Sequence, residues 1–257
     1  MQAIALNGVA VKANTDAFNW GRVMAHDPAL VILPQPQAAL GLEGLIDHRT
    51  AHLTKFQDAR LAARYRTLLD RVRQGVLGSP AQADEILRTV AANYAKVLAY
   101  KDEYEVARLY VDPGFAAALN AQFTGGFRMA FNLAPPFLPG RSPNGRPKKR
   151  EFGAGTMGLF KLLARLKGLR GTLFDPFGYT AERRAERALI GQYEGDVADV
   201  LAVLNPDNAA TAQALLALPD DIRGFGPVKA EAMALAARRR GDLRAALGLD
   251  ERTGLHV

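Results

Sequence analysis

The chain has 257 residues, enough to bury a real core, long for one domain and short for three. Its 49% hydrophobic and 23% charged residues fit a globular rather than a disordered protein, and no apolar run reaches the roughly 18 residues of a membrane span. It has no cysteine, which excludes disulfides, a cysteine nucleophile and a thiolate-held iron–sulfur cluster within these residues. A net charge of +7 favours acidic partners: nucleic acid, an acidic protein or an anionic cofactor. The first residues lack the basic and long apolar regions of a signal peptide, so a cytoplasmic location is expected.

The first thirty residues read as helical. Val11, Thr15, Phe18, Arg22 and Val23 recur at helical spacing, and Pro28 lies just past the end. The abrupt opening reads as the tail of a preceding domain. Leu33-Pro-Gln-Pro-Gln-Ala38 reads as a linker, so the expected division is 1–32 and 33–257. A long helix is expected over 42–72, with Leu53, Phe56, Leu61, Tyr65, Leu68, Leu69 and Val72 on one stripe. A second is expected over 84–110, closed by Asp112-Pro113-Gly114. Its tyrosines 94, 100, 104 and 110 do not share one face, which argues for a mixture of core and surface.

In the middle, Phe127, Met129, Phe131 and Leu133 alternate with Arg128, Ala130 and Asn132, the period of a half-buried strand. Pro135-Pro136 ends it, and a polar loop follows over 138–150. Helices are expected again at 158–166, 180–203, 207–217 and 228–240. Thr180 is a good N-cap, and Asn205 is expected to cap a helix with Pro206 in its first position. The fold class is therefore mainly α (α+β): a helical domain with a minor β element, preceded by helical remnants of an α/β domain.

Candidate sites are few. His48 and His52 stand four apart on one helix face, without a third ligand nearby, so a solvated face is expected and no metal. Lys148, Lys149 and Arg150 precede Phe152-Gly-Ala-Gly155, whose backbone N–H groups are a candidate phosphate contact, with coenzyme A as one such ligand. The alternatives there are an interdomain ion-pair patch or a solvated loop. Asp175-Pro-Phe-Gly-Tyr179 reads as a rigid elbow in which Pro176 fixes φ and Gly178 takes a positive φ, with Phe174, Phe177 and Tyr179 anchored in a core. Tyr179, Arg183 and Arg184 are its candidate contacts to a substrate or partner domain. The Gly224-Phe-Gly226 turn resembles a helix-hairpin-helix that presents amides to a DNA phosphate, although Asp220, Asp221 and Glu231 place negative charge beside it.

Two runs carry a wider resemblance. They are Asn93-Tyr-Ala-Lys-Val-Leu-Ala-Tyr-Lys-Asp-Glu-Tyr-Glu-Val-Ala-Arg-Leu-Tyr110 and Leu169-Arg-Gly-Thr-Leu-Phe-Asp-Pro-Phe-Gly-Tyr-Thr-Ala-Glu-Arg-Arg-Ala-Glu-Arg187. With Phe131-Asn-Leu-Ala-Pro-Pro136, Gly145-Arg-Pro-Lys-Lys149 and Ile222-Arg-Gly-Phe-Gly-Pro-Val-Lys229, they resemble the C-terminal domain of the fused indolepyruvate:ferredoxin oxidoreductases. The segment from Ala5 to Arg22, with its Asn7-Gly-Val-Ala-Val11 and Phe18-Asn-Trp-Gly-Arg22, resembles the last helices of the family's gamma-type domain. The resemblance implies an oxidoreductase that decarboxylates an arylpyruvate on thiamine diphosphate and magnesium. Electrons pass through 4Fe-4S clusters to ferredoxin, and coenzyme A takes the acyl group. It implies no cofactor within this chain, which has neither cysteine nor a thiamine-type Gly-Asp-Gly. Its expected partners are the thiamine-binding and gamma-type portions of the same enzyme, its expected role is structural, and it is expected to be inactive alone. The alternative reading is a helical nucleic-acid-binding protein using 218–240.

Overall fold

The structure, a computed structural model, describes residues 1–30, 40–76, 80–123, 127–133, 150–224 and 226–249. The expected linker at 33–38, Pro135-Pro136, Lys148 and Lys149 lie outside them. The chain divides into two compact units, Met1–Leu40 and Gly41–Val257. The described residues are mainly helical, with a single two-stranded sheet.

The first unit holds α1 (Gln2–Asn7) and α2 (Val11–His26), turned apart at Gly8 with φ 68°. Neither helix has a buried residue, and Phe18 and Trp20 are exposed.

The second unit is built on α3 (Leu42–Phe56), α4 (Ala59–Gly75), α5 (Pro80–Leu98), α9 (Ala181–Val203) and α10 (Ala209–Leu216). Their apolar stripes form one core, including Leu53, Val72, Val90 and Val197. Tyr65, Tyr94 and Tyr193 stack through its centre with 5.9 Å between successive rings. Tyr65 donates to Ala91 O and Tyr193 to Leu216 O, so the column hides no unpaired hydroxyl there. A smaller cluster forms where α6 (Glu103–Val111) and α8 (Thr156–Arg165) pack beside the antiparallel pair β1 (Phe131–Leu133) and β2 (Arg150–Phe152). Tyr110, Phe131 and Phe160 interlock in it within about 5 Å. The mixture expected of the tyrosines holds in part: Tyr94, Tyr100 and Tyr104 are buried, while Tyr110 is partly covered.

Side-chain caps divide the chain more finely than its apolar period does. The expected 42–72 helix is two, α3 and α4, because Asp58 accepts from Leu61 N and starts a new helix. The expected 84–110 helix is α5 and α6, because Asp102 accepts from Glu105 N. Asp112-Pro113 does not merely close α6. Asp112 accepts from Gly114 N and, with Pro113 in the first turn, opens α7 (Pro113–Gln122). Thr180 caps α9 as expected. Asn205 does not cap α10; it accepts from Asp207 N and Asn208 N in a turn that precedes it. Only three residues of the expected strand pair. The last described helix, α11 (Pro227–Ala246), outruns its expected end.

Candidate functional site

The two runs that stand out in the sequence interlock in space. The short 3-10 turn Leu166–Leu169 delivers Arg170 into the space between the C-terminus of α3 and the N-terminus of α6. Its guanidinium is buried. Nε donates to Asp102 Oδ2 at 2.5 Å and Nη2 to Asp102 Oδ1 at 3.0 Å. Nη1 donates to Phe56 O at 2.7 Å, and the group lies 3.7 Å from the Phe56 ring centre. Lys167 donates to Lys55 O one residue earlier on α3, so two cations meet the negative end of that helix dipole. Burial lowers the Lys167 pKa, aided by the neighbouring Arg108 and Arg170 charges.

Asp175 organises the turn that follows. It is buried and accepts from Gly171 N at 2.9 Å, Phe177 N at 3.1 Å and Tyr104 Oη at 3.1 Å. Gly171 supplies the left-handed step, φ 73°. Phe177 packs edge-on against Tyr104, with 5.3 Å between centroids. Arg187, in the second turn of α9, donates to Gly178 O at 2.6 Å. Gly178 does not have the positive φ expected of it. Its lack of a side chain matters for another reason: a Cβ there would sit 2.8 Å from Asp175 Oδ2.

This staple presents an apolar tip. Leu173 is 85% exposed, Phe174 80% and Tyr179 62%, and Tyr179 Oη closes the loop by donating to Leu173 O at 2.5 Å. Of the three aromatics expected in a core, only Phe177 is buried. The carboxylate that holds the turn faces inward, which forces residues 173–174 outward.

The candidate contact residues separate. Tyr179 stands on the exposed tip. Arg183 is largely covered, held by Glu186 at 2.5 Å and Glu103 at 3.4 Å. Burial pushes the Glu103 carboxyl above its ordinary pKa, opposed by Arg183. Arg184 is exposed and forms no ion pair with a described residue. Arg150 lies on β2, paired across from Leu133. In the Gly153–Gly155 segment the carbonyls of Gly153, Ala154 and Gly155 accept from Thr156 N, Met157 N and Gly158 N, which starts α8. His48 and His52 lie on α3; burial lowers the His52 pKa, and its ring faces Phe56. No cluster of three metal-ligating side chains occurs among the described residues.

The sequence reading gave no role to Asp102 or Arg170, and named Asp175 only as part of the elbow and Tyr104 only among the helix tyrosines. All four lie inside the two runs, and a lone Arg-Gly or Lys-Asp-Glu carries no signal of burial by itself. At 222–229, Gly224 and Gly226 have φ 96° and 55°. Asp220 pairs with Lys96 and Asp221 with Arg239.

Fold and site together define a mainly α domain whose central helices are tied by buried ion pairs to an exposed apolar elbow. A family described as a family of unknown function, DUF6537, matches residues 42–242, and the chain belongs to it. No curated protein and no solved structure matches.

Proposed function

We propose that this chain is the C-terminal portion of a thiamine diphosphate-dependent indolepyruvate:ferredoxin oxidoreductase, and that its role is to dock against the thiamine-binding and gamma-type portions. The supporting observation is the elbow. Three large apolar side chains stand in solvent on a turn that buried Arg170, Asp102 and Asp175 hold rigid. Exposed apolar side chains gathered on one rigid turn mark an interaction surface, and pre-organisation lowers the entropy cost of contact. The exposed Phe18 and Trp20 of α2 are a second surface that the gamma-type portion would cover. In this reading the thiamine, clusters and coenzyme A act on the other portions, and the complete enzyme passes its electrons to ferredoxin.

The test is to produce the chain together with the thiamine-binding and gamma-type portions of such an enzyme. Association should be lost in a Leu173→Ser, Phe174→Ser variant that melts like the wild type. The chain alone should be inactive with indolepyruvate, coenzyme A and a viologen dye. Turnover by the chain alone, or no association with those portions, overturns the proposal.

A further inference from the structure

A cleft unrelated to the elbow lies between α4 and α9. Arg64, Thr67, Leu68 and Arg71 recur at i, i+3, i+4 and i+7 on α4, and Glu194, Val197, Ala198 and Leu201 do the same on α9. Each helix therefore turns one continuous face toward the other. Towards its end α4 comes close to α9, where Gly75 lies against Leu201 and a Cβ would stand 3.2 Å from that side chain. The two helices are bridged again where Arg64 grips Glu194 with two hydrogen bonds of 2.7 and 2.9 Å. A cleft of about 520 Å³ opens between them. That lies within the range of about 300–1,000 Å³ common for small-molecule sites.

Its chemistry is mixed. Leu68 and Leu201 give an apolar wall, backed by the buried Val197 and by Tyr94, which is held in the tyrosine stack. The Glu194 carboxylate is occupied by Arg64 and by the Tyr94 hydroxyl. Arg71 forms no ion pair with a described residue. Two arginines against one carboxylate leave the lining with one excess positive charge. We infer that the α4–α9 cleft binds a small amphipathic monoanion, with a carboxylate on the Arg71 guanidinium and an apolar body against Leu68 and Leu201. A planar guanidinium meets a carboxylate with two parallel hydrogen bonds, and the single excess charge favours a monoanion over a dianion.

Titration of the protein with phenylacetate, followed by amide NMR, tests this, with phenyl phosphate as the dianionic counterpart. Phenylacetate should shift resonances of α4 and α9 and saturate at millimolar concentration. Arg71→Ala should weaken it about tenfold. Ala198→Leu, on an exposed position, should fill the cleft and abolish binding at an unchanged melting temperature. Absence of saturable shifts at about 10 mM phenylacetate overturns the inference. Binding indifferent to both substitutions, or phenyl phosphate binding more tightly than phenylacetate, does the same.

Discussion

Arg170 is fixed by more groups than any other cation of the elbow, and nearly all of them are buried. Removing Asp102 would strand that charge and uncap α6. Breaking a buried pair from one side costs about 3–5 kcal/mol. We expect Asp102→Ala to lower the melting temperature by on the order of 10 °C. The joint Asp102→Leu, Arg170→Met variant should recover part of the loss, because no unpaired charge then remains. A double variant no better than the single one would show that the pair is not the main term. Two glycines of the elbow separate backbone from packing. Gly171→Ala meets no atom within 4 Å but must hold φ 73°, which costs about 1 kcal/mol. Gly178→Ala carries no such penalty, yet its Cβ would press on Asp175, which three donors hold in place. Overpacking of this kind costs about 1–3 kcal/mol, so Gly178→Ala should melt lower than Gly171→Ala. The reverse order would mean Asp175 can move aside. The sequence marked Asp175-Pro-Phe-Gly-Tyr179 as an elbow because Pro and Gly punctuate locally. It could not show which aromatic turns inward, since that depends on Tyr104, far along the chain.

Helices were legible where apolar spacing is strong, and helix breaks were not. The stripe through Leu53, Phe56, Leu61 and Tyr65 crosses the α3–α4 junction with a single step of five, from Phe56 to Leu61, a weak signal beside the Asp58 cap that makes the break. β1 was legible, though too long, from the 127–133 alternation, but its partner β2 was not, because Arg150-Glu-Phe152 is too short to show a period. Between elements, charge does what apolar spacing cannot specify. Asp196 on α9 accepts from Arg240 and Arg244 of α11, and Glu186 from Lys229, so α11 is tied to α9 largely by ions. The α4–α9 link is the one whose pH response can be given a sign. Burial opposes the charge of Glu194, but hydrogen bonds from Arg64 and Tyr94 outweigh it and hold its pKa below the ordinary carboxylate value. Such a group adds stability above its unfolded pKa, about 4.3, and loses it as pH falls through the lower folded value. Glu194→Gln should therefore destabilise at neutral pH and converge on the wild type only as pH falls below the lowered folded value. Thermal melts across that range decide it; a gap that persists in acid would place the effect in packing.

At the scale of the whole molecule, the question is what a net charge of +7 is for. Nucleic-acid affinity depends on cations that can release counterions, with a salt slope of about 0.9 per phosphate neutralised. Around the Gly224–Gly226 turn most cations already have anionic partners. Lys229 is paired with Glu186, Arg239 with Asp221 and Arg240 with Asp196, while Arg223 donates to Asp220 O. Each of the three ion-paired cations would have to leave its partner to meet a phosphate, and the carboxylate left behind would repel it. This leaves about two cations there for a duplex, so we expect any binding to be weak, with a log–log salt slope of about two or less. Gly226→Ala probes the turn itself, because a Cβ there meets no atom within 4 Å and the cost is confined to the backbone. Titration of a labelled duplex at near-physiological salt should give the same weak signal for wild type and variant. A steep salt slope together with loss of binding in Gly226→Ala would make 218–240 a nucleic-acid contact and favour the nucleic-acid-binding reading of the sequence.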